Sequence, residues 1–124
     1  MLRPHTTTFI LLAACTAACG GSTDPIVCTE QFVFGLTVQV VDSVTGTAQA
    51  TGSTLTLIEG TYVESTTDSF DGLTLVGAGE RPGTYLVSVA RAGYHTWTGA
   101  DVEVTADECH VIPVSMLAEL RPIP

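Results

Sequence analysis

From Phe34 to Val40 the chain spells a two-residue rhythm: Phe34, Leu36, Val38 and Val40 are apolar, Thr37 and Gln39 polar. Successive side chains of an extended strand point to opposite faces, so this spelling suits a half-buried β-strand and no helix. The rhythm returns from Thr84 to Arg91, where Tyr85, Val87 and Val89 share one face and Ser88 and Ala90 the other. Thr and Val together fill 34 of 124 positions (20 Thr plus 14 Val). Both are β-branched, lose rotamer freedom in a helix and pack well on a pleated surface. No segment carries an apolar stripe at helical spacing with caps at both ends.

Further short strands are expected over 54–59, 62–67, 73–76, 94–98, 102–104 and 110–117. Turn residues separate them: Asp42 to Gly46, Asp68 to Gly72, Arg81-Pro82-Gly83 and Ala92-Gly93. Gly46, Gly83 and Gly93 fall where a tight reversal or a positive φ is needed. Seven or eight strands within about 95 residues fit an antiparallel β-sandwich of seven strands.

The chain is acidic, with a formal charge of −9, thirteen carboxylates and no lysine. Past the leader only Arg81, Arg91 and Arg121 are positive. Three cations cannot neutralise a phosphate backbone, so no nucleic-acid partner is expected. Direct adhesion to anionic head groups is disfavoured on the same ground.

The first residues read as a targeting segment. Met1 to Thr8 holds one arginine, Phe9 to Ala14 is apolar, and small residues follow. That is the layout of a secretory signal, too short to span a bilayer. The quartet Leu12-Ala13-Ala14-Cys15 resembles the bacterial lipobox, whose cysteine is lipidated and becomes the new N-terminus. Thr16-Ala17-Ala18-Cys19 is the second candidate: its quartet is poorer, but its leader length is more ordinary and Gly20-Gly21-Ser22 follows as a tether. The resemblance implies a diacylated envelope protein held stably at a membrane, because two chains hold where one does not. It places a signal peptide at 1–18, a tether at 19–31, a folded body at 32–118 and a tail at 119–124.

Cys28 and Cys109 bracket the body. In an oxidising compartment they are expected to form a disulfide, closing a loop of about 82 residues; the chain-entropy model credits that closure with up to about 4.5 kcal/mol. A zinc site would need closely spaced Cys and His ligands, and Cys109-His110 is the only such neighbour pair.

One resemblance runs along most of the mature chain. Gly35-Leu-Thr-Val-Gln-Val-Val-Asp42 followed by Thr45-Gly46, then Thr67-Asp68 with Gly72, Pro82-Gly83-Thr84-Tyr85 and Ala92-Gly93-Tyr94, resembles the carboxypeptidase regulatory-like domain. The resemblance covers about Phe32 to Leu117 and implies a prealbumin-like (transthyretin-like) sandwich. The segment Gly72 to Gly83 is longer than the family's usual link.

No G-x-S-x-G elbow, H-E-x-x-H helix or P-loop is present. Among enzymes of the transthyretin-like fold, hydroxyisourate hydrolases carry a C-terminal motif and intradiol dioxygenases a Tyr/His iron set, and neither is recognisable here. Asp68, Asp71, Asp107 and Glu108 could face a cation, but calcium needs six to eight oxygens and no contiguous loop supplies them. No metal, cofactor or catalytic residue is therefore expected. His95 and Trp97 are possible ligand contacts, since alternation puts both on the face opposite Tyr94 and an exposed indole can stack on a sugar. The expected function is a non-enzymatic, lipid-anchored module of the bacterial envelope with a protein or glycan partner. A carbohydrate-binding module resting on Trp97 is the alternative, and a transthyretin-like hydrolase the third reading.

Overall fold

The structure, a computed structural model, describes residues 25–124; the expected signal peptide and both lipidation candidates, Cys15 and Cys19, lie outside the described residues. It is all-β. The strands are β1 (Phe34–Asp42), β2 (Ser53–Glu59), β3 (Tyr62–Thr66), β4 (Thr74–Gly79), β5 (Gly83–Arg91), β6 (Trp97–Val104) and β7 (Val114–Leu120). They form two sheets, ordered β4-β1-β7 and β3-β2-β5-β6.

The alternating residues face each other across the two layers. Leu36, Val38 and Val40 of β1, Leu75 of β4 and Leu120 of β7 meet Leu55, Leu57, Tyr85, Val87 and Val89 of the second sheet, all at 0–1% exposure. Burying side chains of this kind is worth about 1.5–3 kcal/mol each, the main favourable term in a domain this small. Tyr85 brings the one polar atom deep among them, and its hydroxyl donates to the Arg81 carbonyl at 2.9 Å.

Three features depart from the sequence expectation. First, the pairing is not wholly antiparallel: β1 runs parallel to β7, from Leu36 opposite Val114 to Asp42 opposite Leu120. Parallel neighbours need a long crossover, and the whole chain between β1 and β7 serves as one.

Second, the strands expected at 94–98 and 102–104 are one strand. Tyr85 pairs with Val102 and Val87 with Gly99, so Ala100 and Asp101 together oppose the single residue Leu86. Such a bulge inserts one residue and flips the alternation; Asp101 adopts φ 54° to make it. Trp97 therefore sits in register with the buried Val89. Tyr94 lies before the strand and bridges Pro122.

Third, the last strand runs to Leu120, and the expected tail is part of the fold. Leu120 is fully buried, the Ser43 amide donates to its carbonyl at 2.9 Å, and the Ile123 amide donates to the Gly93 carbonyl at 2.9 Å. The expected strand start at 110 is instead a tight turn, with Ala106 bridging Val111.

The register makes a clear test at the chain's end. Leu120→Ala should cost about 2–5 kcal/mol, as a buried leucine does. Leu117→Ala, on the outer face and 50% exposed, should cost no more than about 0.5 kcal/mol. Urea unfolding of both variants checks the pair; equal costs would mean that β7 is wrongly registered.

Candidate functional site

Chemistry-bearing side chains converge where the segment before β1 meets the β6–β7 turn. That turn is built by Asp107, whose Oδ1 accepts the amides of Cys109 (2.8 Å) and His110 (2.9 Å). An aspartate bonding amides two and three residues onward stabilises a turn locally. Its tip is thereby fixed, and Cys109 closes a disulfide with Cys28 across a Cα–Cα separation of 5.2 Å.

The neighbouring residues on both sides of the bridge are also joined. Thr29 Oγ1 lies 3.0 Å from His110 Nε2, and His110 Nδ1 lies 2.9 Å from Glu80 Oε1. The same Glu80 carboxylate accepts the Val33 amide at 2.7 Å and the Val111 amide at 3.4 Å. Burial pushes the Glu80 carboxyl up, but the Val33 amide, His110 and the Val111 amide outweigh it and hold it below the usual range. Asp107 is likewise held low by the His110 and Cys109 amides.

Glu80 reaches this position through an unusual backbone. Ala78 and Glu80 adopt φ 52° and 47° on either side of Gly79, a conformation that costs a non-glycine residue about 1–2 kcal/mol. Three bonds maintain it: Ala78 donates to Glu64 Oε2 at 3.1 Å, the Glu80 amide to the Val33 carbonyl at 2.9 Å, and the Arg81 amide to the Ala78 carbonyl at 3.3 Å. Gly79 leaves the space that the Phe32 ring fills; a β-carbon there would collide with it. The result is an open depression lined by Thr29, Gln31, Phe32, Glu80 and His110, with the disulfide at its rim.

Hydroxyl, imidazole and carboxylate stand in the order of a hydrolase relay. Of the amides around it, those of Cys109 and His110 bind Asp107, and those of Val33 and Val111 bind Glu80. The arrangement as it stands fastens two chain segments together.

The other residues singled out from the sequence lie elsewhere. His95 is exposed, and its amide donates to the Arg121 carbonyl at 2.9 Å. Trp97 is half-buried against the core, its ring over Gly99, where a β-carbon would meet Trp97 Cη2 at 2.9 Å and Met116 Cε at 3.0 Å. The alternation that paired His95 with Trp97 opposite Tyr94 does not hold, because regular β6 begins only at Trp97. The indole and the Tyr94 ring both pack on the core. Asp71 spends its carboxylate on the amides of Leu73 and Thr74 and the Thr74 hydroxyl. Among the described residues no three His, Cys, Asp or Glu side chains gather as a metal site.

Thr29 and Glu80 were not legible as partners of His110. The one local signal was that His110 follows the bridging Cys109.

A group whose folded pKa is depressed stabilises the fold above its unfolded pKa, and that contribution disappears as pH falls through the folded value. Glu80 is such a group. The unfolding temperature should therefore hold steady near neutrality and fall below about pH 4, the ordinary carboxylate range. Glu80→Gln should lower the midpoint at pH 7 and flatten this acid limb, so that the two curves converge in strong acid. Parallel curves would mean that Glu80 ionisation does not stabilise the fold. No protein-family model matches the chain, and no curated protein matches it.

Proposed function

We propose that the chain is a non-enzymatic protein of the bacterial envelope, held by a lipid on Cys15 or Cys19. On that anchor it presents a single carboxypeptidase regulatory-like, prealbumin-like sandwich to a protein or glycan partner. The observation that carries the reading is the Cys28–Cys109 disulfide, a bond sustained in oxidising compartments and formed just downstream of a leader with lipobox-like quartets.

The finer fold assignment draws support from where the resemblance-bearing residues meet. Asp42 accepts the amides of Val44 (2.7 Å) and Thr45 (2.9 Å) and the Tyr94 hydroxyl (2.8 Å). Gly46 and Gly93, with φ of 72° and 83°, supply the reversals on either side. Pieces 52 residues apart in sequence thus serve one structural purpose, which argues that their order is a fold signature.

A hydroxyl–imidazole–carboxylate relay whose neighbouring Cys109, His110, Val33 and Val111 amides are given to Asp107 and Glu80 has those four donors withdrawn from the stabilisation that usually dominates acyl-transfer catalysis, which supports the non-enzymatic reading. Among the described residues no helix is long and apolar enough to cross a membrane, so in this reading the lipid provides the attachment.

Mass spectrometry of protein from the membrane fraction of a producing bacterium tests the anchor. A diacylglycerol thioether on Cys15 or Cys19 as the first residue is expected, and substituting that cysteine by serine should release the protein into the soluble fraction. A mature N-terminus with neither cysteine modified would refute the anchor.

A further inference from the structure

The segment 25–32 is exposed at every residue and contains no strand. None of the buried core residues comes from it. Four attachments hold it down: the disulfide at Cys28, the Thr29–His110 hydrogen bond, the Phe32 ring lying on Gly79, and the edge-to-face contact of that ring with Phe34 at 5.1 Å between centroids. Val33 is the first residue gripped by backbone bonds, giving its amide to Glu80 Oε1 and accepting the Glu80 amide on its carbonyl.

We propose that this segment is a redox-released strap, closed by the Cys28–Cys109 bond and hinged at Val33. With the bond intact, Cys28 is pinned at the β6–β7 turn and the folded body is held close to whatever precedes residue 25. With the bond open, the remaining attachments are one exposed hydrogen bond, which exchanges with water at little net gain, and one ring, 62% exposed and edge-on to Phe34. They do not offset the conformational entropy lost by five ordered residues, each of which gives up backbone and side-chain freedom. The strap therefore comes free while the two sheets keep their own ladders and core.

A dithiol reductant is the co-reactant. Its thiolate attacks the sulfur of Cys28, the more exposed partner, and Cys109 leaves as a thiolate that takes up a proton. The reductant's second thiolate then displaces Cys28 from the mixed disulfide. Two electrons pass from the dithiol to the cystine; the protein ends with two thiols and the reductant with one disulfide.

Released, the five residues 28–32 can carry Cys28 up to about 17 Å from Val33, at about 3.4 Å per residue. On the anchored reading above, that freedom lets the body stand further from the membrane; this consequence rests on that reading, while the strap itself does not.

Backbone ¹⁵N relaxation of the whole exported chain, with and without dithiothreitol, tests the proposal. In the oxidised protein the order parameters of 28–32 should approach those of the strands, about 0.85, and after reduction they should fall below about 0.6 with the strands unchanged. Cys28→Ser should show the released pattern without reductant, and Thr29→Val in oxidised protein should leave the strap ordered. Order retained at 28–32 after reduction would overturn the proposal, since the lesser attachments would then suffice. Loss of strand signals on reduction would overturn it equally, because the disulfide would then be a staple of the whole fold. The measurement compares residues 28–32 with the strands of the same molecule, lipidated or not, so an error in the anchor assignment leaves its outcome intact.

Discussion

Strand β1 carries more of this fold than any other element. It is the middle strand of its sheet, antiparallel to β4 on one side and parallel to β7 on the other. Leu36, Val38 and Val40 form the fully buried row of that sheet. Because β7 is the last strand, β1 holds the end of the chain as well as its beginning. A small sandwich has little apolar area to spare, and making one nine-residue strand serve two ladders closes the layer with only three strands. Gly35 shows how tight the fit is: a β-carbon there would stand 2.5 Å from Val104 Cγ1 and 2.8 Å from the Ala78 carbonyl.

The acidic composition is put to use in the same economy. Asp42, Asp71 and Asp107 each accept the amides two and three residues onward, so one device shapes three separate turns. Glu64 and Glu80 extend it over long range, satisfying amides of β4 and of the segments flanking the site. A carboxylate accepting backbone amides forms stronger bonds than a neutral acceptor and stays ionised more readily. In a chain with four arginines and no lysine, these five of the thirteen acids are placed in this way. The ion pair of Arg81 with Glu59 is built into an aromatic frame, with the guanidinium 3.7 Å from the Tyr62 ring centre and 2.7 Å from the Tyr85 hydroxyl. There the cation–π contact and the hydrogen bonds fix geometry that a solvated pair would leave loose.

Strand positions were legible because the alternation is strong wherever one face meets the core: 34–40, 54–59, 62–67 and 84–91 match β1, β2, β3 and β5 closely. Periodicity fails where the backbone does something that side-chain identity does not encode. The bulge at Asp101 shifts the phase within β6, so Trp97 and Val102 share the inward face although they are an odd number of residues apart. The direction of β7 was beyond reach, since a strand's spelling is the same whether its neighbour runs with it or against it. The disulfide was readable from cysteine count and compartment, whereas the Thr29–His110–Glu80 relay joins residues 30 to 81 positions apart. It depends on left-handed backbone at Ala78 and Glu80, where neither side chain announces it.

A sandwich with two open flanks also has to keep other chains from adding to its edges. At one flank, β3 is only five residues long, and Glu64 reaches from it to the Ala78 amide of β4. At the other, the Trp97 ring of β6 and Met116 of β7 both reach over Gly99, and the bulge twists β6 beside two carboxylates, Asp101 and Glu103. Across the outer face of the four-stranded sheet, Ser65, Thr56, Ser88 and Thr98 stand in one cross-strand row, with Thr56 and Ser65 bonded at 3.1 Å. Hydroxyls of this kind wet a flat face without charge, while Asp42, Asp71, Asp107 and Glu80 take up amides that no ladder satisfies. Polarity divides accordingly: hydroxyls across this pleated face, and these carboxylates where the backbone runs out of partners.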